Sequence, residues 1–130
     1  MKAYTDLEQS KKLAEILPLE SADMIYILMM DIDSMGNSGF FDIPECYPFN
    51  EFKDSDTKPL PCWSLAALLS VLPKNLNIGR PSLDSNYMGY YWIQYYDEFM
   101  KSNNYKTECF NNPVDACVDM VIKLHEQKLL

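Results

Sequence analysis

A single histidine limits the acid–base and nucleophilic chemistry open to this chain. His125 falls late in the last apolar-periodic stretch, and a Ser/His/Asp or Cys/His mechanism needs that imidazole beside a nucleophile. Cys117 precedes it by eight positions. On a helix that is about 12 Å along the axis, so the two cannot meet within one element. The simpler reading is an imidazole among the last helical carbonyls, favourable to the dipole when charged. Asp31, Asp33, Gly36 and Asp42 match the calcium-loop pattern at the first, third, sixth and twelfth places. Against this, Met35 stands where an oxygen ligand belongs, Asp42 is shorter than the usual bidentate Glu, and the preceding residues read as a strand. The alternative is a glycine-containing turn with its acids in water; Asp31, Asp33 and Asp42 are a weak calcium candidate and the one metal candidate. Gly36, Gly39, Gly79 and Gly89 have no phosphate-loop spacing, and the paired acids Asp97 and Glu98 suit solvation as well as catalysis. No residue pattern marks a catalytic centre or calls for a cofactor.

The richest segment is Tyr87-Met88-Gly89-Tyr90-Tyr91-Trp92-Ile93-Gln94-Tyr95-Tyr96. Its aromatics have high β propensity, and alternation along a strand puts Tyr91, Ile93 and Tyr95 on one side with Tyr90, Trp92, Gln94 and Tyr96 on the other. One set can line a core. The second would form an aromatic strip serving as a further core, a dimer contact or a ligand platform. Tyr90, Trp92 and Tyr96 are therefore the candidate partner-binding residues. Stacking of nucleic-acid bases would need a basic surround, which is missing.

The elements around these residues follow from spacing. Thr5 and Glu8 have capping-box separation ahead of an apolar face of Leu7, Leu13, Ala14 and Leu17, stopped at Pro18. Ser21 can cap a short turn, and Met24–Met30 reads as a strand buried on both faces. Residues 31–61 are irregular and acidic, with Pro44, Pro48, Pro59, Pro61, Gly36 and Gly39, and seven acids against Lys53 and Lys58. A short strand near Tyr47–Phe52 is expected inside this segment. Leu65, Leu68, Leu69 and Leu72 predict a helix bounded by Pro61 and Pro73. Leu76–Leu83 predicts an edge strand, since Pro81 cannot donate to a ladder. Tyr87–Tyr96 is the main strand, Ser102–Asn104 a turn, and Tyr105–Phe110 a further strand. Asn112 as N-cap, Pro113 at the first turn and Asp115 near the dipole open a last helix, whose apolar stripe is Val114, Cys117, Val118, Val121 and Leu124. The fold expected is α+β: one three- or four-stranded, mainly antiparallel sheet with about three helices packed chiefly on one face.

The 130 residues fit one domain, 1–130, large enough to bury a core without disulfides or metal. Apolar runs fall far short of a membrane span, and the polar N-terminus has no signal-peptide core, which predicts a cytoplasmic protein. Cys46, Cys62, Cys109 and Cys117 show neither CxxC nor zinc spacing, in keeping with free thiols. A net charge of −8 repels phosphate backbones and favours basic partners, or simply solubility.

Three segments resemble a known group when taken together. They are Gln9–Leu13 with Leu17–Met24, Leu60–Leu65 through Pro73, and Asn112–Ala116 through Glu126. In order, they resemble small uncharacterised proteins of prophages and mobile elements in gut Bacteroidetes. That resemblance implies a bacterial, cytosolic, mobile-element setting and brings no catalytic residues. The expectation is a non-enzymatic accessory protein acting by contact with an unknown protein partner or by self-association, through the Tyr90/Trp92/Tyr96 face or the acidic 31–61 segment. The alternatives are a small enzyme or ligand-binding domain with a pocket between the sheet and the 31–61 loop, and an acidic mimic of nucleic acid.

Overall fold

The structure, a computed structural model, describes residues 2–27, 39–41, 43–51, 59–74, 80–96 and 105–130. Residues Tyr4–Ala67 form one compact unit, and Met1–Ala3 with Leu68–Leu130 form a second.

The first unit begins with α1 (Leu7–Ala14). Its cap is Asp6, whose carboxylate accepts from Gln9 N at 2.8 Å while Gln9 Oε1 accepts from Asp6 N at 3.1 Å. The capping box is thus one residue later than the Thr5–Glu8 spacing predicts. Thr5 is unavailable because it is fully buried, with its hydroxyl 2.8 Å from Ser10 Oγ and accepting from Trp63 N at 3.1 Å. The helix ends at Glu15, and Pro18 instead opens a single 3₁₀ turn at Leu19–Ser21.

Strand β1 (Met24–Tyr26) is buried throughout and pairs antiparallel with β2 (Leu60–Cys62), Met24 opposite Cys62 and Ile25 opposite Pro61. Pro61 therefore lies in a strand and does not bound the following helix. It removes no bond that Ile25 needs: Ile25 exchanges both of its backbone bonds with Glu45, at 2.9 and 2.7 Å, on the opposite side. Phe49–Glu51 is a 3₁₀ turn within the stretch expected as a strand; Phe49 is buried in the core, Tyr47 is exposed, and Phe52 lies outside the described residues. Residues 28–30 of the expected first strand lie outside the described residues. α1 packs on β2.

Helix α2 (Leu65–Val71) starts at Ser64, whose hydroxyl accepts from Ala67 N at 3.2 Å. Ser64 N donates to Asp23 Oδ1 at 2.9 Å, and the Ser64 hydroxyl also donates to Asp23 Oδ2. This cap, not proline, sets the start.

In the second unit β3 (Arg80–Ser85), β4 (Tyr91–Tyr96) and β5 (Tyr105–Lys106) form an antiparallel sheet in the order β3-β4-β5. Pro81 does sit on an edge strand. The expected Ser102–Asn104 turn and the start of the predicted Leu76–Leu83 strand lie outside the described residues. The predicted strand to Phe110 is broken after Lys106. There Thr107 N still donates to Ile93 O at 2.9 Å, but the return bond from Ile93 N goes to the Thr107 hydroxyl at 3.0 Å, and a full backbone exchange recurs where Phe110 meets Tyr91. Helix α3 (Pro113–Glu126) follows the sequence reading closely. Asn112 accepts from Asp115 N at 2.9 Å, and Val114, Cys117, Val118, Val121 and Leu124 are all buried, joined by Ala116 and Met120. α3 packs on β4.

Among the described residues the chain is α+β with three α-helices, but the strands do not make the single three- or four-stranded sheet expected. They form a two-stranded sheet carrying α1 and a separate three-stranded sheet carrying α3. Side-chain alternation dictates which face of a strand is buried; it does not name the strand's neighbour.

Candidate functional site

The hairpin joining β3 to β4 carries the most exposed large apolar side chain of the described residues and two further exposed ones; a second exposed set, Phe41 at 53%, Ile43 at 73% and Tyr47 at 50%, lies in the first unit. Tyr87 is 98% exposed, Met88 65% and Tyr90 42%. The expected strand from Tyr87 begins only at Tyr91, because Asn86 and Gly89 fold the preceding residues into a turn. Asn86 Oδ1 accepts from Met88 N at 3.0 Å and Tyr90 N at 3.1 Å, Asn86 N donates to Tyr90 O, and Gly89 takes φ +85°, which glycine adopts without a Cβ penalty. The turn is pinned by its own backbone and the Asn86 side chain, while the Tyr87 and Met88 side chains are left in water.

Beyond the turn, alternation holds. Ile93 and Tyr95 are fully buried, and the Tyr95 hydroxyl donates to Pro73 O at 2.7 Å. Burial pushes that phenol up to about 12. On the opposite face Trp92 is half-buried, with the Lys106 ammonium 5.2 Å from its ring centroid. Beside it Asp84 Oδ2 accepts from Gln94 Nε2 at 2.7 Å and Ser82 Oγ at 3.1 Å. Of the three expected partner-binding residues, Tyr90 is at the foot of the turn and Trp92 lies under a cation. The Tyr96 backbone pairs with Arg80, and its side chain lies outside the described set. Tyr87 and Met88, which the sequence reading placed in a strand, are the more exposed members of the cluster. The signal that could have located them was the Asn86–Gly89 spacing, a turn signature.

The thiols divide by burial. Cys46 and Cys109 are exposed; Cys62 and Cys117 are buried. Desolvation raises the Cys62 thiol, opposed by hydrogen bonding with Thr5, and it pushes Cys117 up to about 12. Neither supplies thiolate near neutrality. Cys62 belongs to a satisfied polar knot in which its Sγ lies 3.5 Å from Thr5 O and the Tyr26 hydroxyl donates to the same carbonyl at 2.7 Å. His125 is exposed in the last turn of α3, with Nδ1 3.4 Å from Leu130 O. Helical separation and opposite burial keep it from Cys117. Asp31, Asp33 and Asp42 lie outside the described residues, and among the described ones no group of three His, Cys, Asp or Glu is placed to hold a metal. Among them, too, no helix is long and apolar enough to cross a membrane.

One cavity of about 480 Å³ opens in the second unit, lined by Leu69 and Leu72 near the end of α2, by Leu83 and Ile93 of the sheet, and by Lys74 and Arg80. Comparison with models of known families, with curated proteins and with solved structures returns no match.

Proposed function

We propose that the protein is a non-enzymatic accessory protein of a phage or mobile element that works by protein–protein contact through its β3–β4 hairpin. The observation that carries this reading is the exposure of Tyr87, Met88 and Tyr90 together on a turn whose backbone is already fixed. Large apolar side chains gain when water is removed from them, at about 25 cal/mol per Å², and contiguous exposed clusters mark contact surfaces. Tyrosine is favoured there because it brings much contact area for few rotors, and methionine because its flexible, polarisable thioether adapts to the facing surface. A pinned turn also avoids the ordering cost that a floppy loop would incur on binding. The acidic balance of 19 Asp and Glu against 11 Lys and Arg favours a basic partner surface.

A photo-crosslinking residue at position 87 tests this in producing cells. The reading expects a discrete adduct that Met88→Ser with Tyr90→Ser abolishes and that is absent when the same residue replaces exposed Glu108. An adduct of twice the chain mass identifies the partner as a second copy. Equal labelling from positions 87 and 108, or none from 87, refutes it.

A further inference from the structure

The cavity of the second unit has no part in the hairpin contact, and its lining has its own chemistry. Leu72 and Ile93 are buried and Leu83 half-buried, so its inner wall is aliphatic. Lys74 and Arg80 are both exposed and line the same space, which puts two cations at its mouth. Neither ion-pairs with a carboxylate among the described residues. Asp84, the acid of β3, is engaged with Ser82 and Gln94 instead. The Tyr95 hydroxyl ties Pro73 to β4, which holds the chain leaving α2 in place beside the opening. At about 480 Å³ the space falls within the range of small-molecule pockets, apolar walls with a few convergent polar groups. In a chain of net charge −8, Lys74 and Arg80 bring two positive charges to one apolar cavity.

From this juxtaposition we infer that the cavity binds a small amphipathic anion. Its alkyl or aryl body rests on Leu72, Leu83 and Ile93, and its carboxylate or phosphate head is held by Lys74 and Arg80. Arginine suits either head because its fork can meet two oxygens at once.

The test titrates the purified full chain with octanoate, with octyl phosphate, and with octyltrimethylammonium as the charge-reversed control, followed by amide NMR and calorimetry. Saturable one-site binding of at least one anion is expected, with the largest shifts at Leu83 and Ile93 and the cation at least about tenfold weaker. The relative affinity of the two anions identifies the head group. Lys74→Met with Arg80→Met, both at exposed positions, should weaken the anion about tenfold or more. Leu83→Trp should fill the cavity and abolish binding. No saturable binding of either anion overturns the inference, as does equal affinity for the cation or an unchanged affinity in the double Met variant. Because the Met variants are on the surface, that result stands even where Leu83→Trp fails to fold. Tyr87, Met88 and Tyr90 do not line the cavity, so failure here leaves the hairpin reading untouched.

Discussion

Neighbouring residues on β4 should differ sharply in what their loss costs, because the strand turns one into the core and the other onto a polar face. Ile93 is 0% exposed. Truncating a buried isoleucine to alanine removes its transfer free energy and leaves unfilled volume, together about 2–5 kcal/mol, whereas removing one methylene costs about 0.5–1.5 kcal/mol. Ile93 already borders the cavity, so its neighbours have room to shift and the cost should fall in the lower half of that range. Trp92 is half-buried with Lys106 over its ring, an arrangement worth about 0.5–1 kcal/mol at a surface. Its area loss adds to this without creating a cavity. Urea unfolding followed by circular dichroism reads both. With a slope of about 1–3 kcal/mol per molar, Ile93→Ala should lower the midpoint by about 1 M or more. Ile93→Val should lower it by a fraction of that, and Trp92→Ala by less than Ile93→Ala. If Trp92→Ala costs as much as Ile93→Ala, or if Ile93→Ala is nearly neutral, the assignment of faces is wrong.

Thr107→Val should destabilise by about 1–3 kcal/mol, because the Ile93 N–H it serves at 3.0 Å is left buried without an acceptor; Thr107→Ser, which keeps the hydroxyl, should recover most of that in the same urea assay. A thiol reagent should label Cys46 and Cys109 at once in the native protein and reach Cys62 and Cys117 only on unfolding; four fast thiols would contradict the burial. Stability should also fall in alkali. Burial raises Cys117 from 9.0 to about 12 and Tyr95 from 10.0 to about 12, so the unfolded chain loses these protons first and the stabilisation, intact below pH 9, drains away as pH rises toward 12. A urea midpoint that is flat from pH 8 to 11 would count against buried, raised groups.

How much of this was legible depended on whether a signal was local. α3 could be read whole, since its cap, its first-turn proline and its apolar stripe all act within the helix. α1 could be read to within a residue; Thr5 and Asp6 are both good caps, and only the fold shows that Thr5 is taken up by Ser10 and Trp63. Alternation in β4 correctly set Ile93 and Tyr95 apart from Trp92, yet it was carried four residues too far. Aromatic β propensity at Tyr87 and Tyr90 outweighed the turn that Asn86 and Gly89 build. The antiparallel sense of the pairing agrees with expectation, but which strand meets which was not legible. Pro61 opposite Ile25 is tolerated only because Glu45 meets Ile25 from the other side, a non-local fact that pushes a proline into a strand where local rules put it at a helix end. The cavity was hidden for the same reason: Leu69, Leu83 and Ile93 come from three elements that no periodicity joins.

Hydroxyl-radical footprinting of Tyr87 and Met88, performed on the purified chain and inside cells that produce it, tests most directly whether the hairpin makes a contact. Both side chains should be modified rapidly in the isolated protein, as their exposure requires, and should be protected several-fold in the cell, where dispersion and burial against a partner shield them. Equal modification in the two settings, with Glu108 as the exposed reference, would mean that the hairpin meets only water.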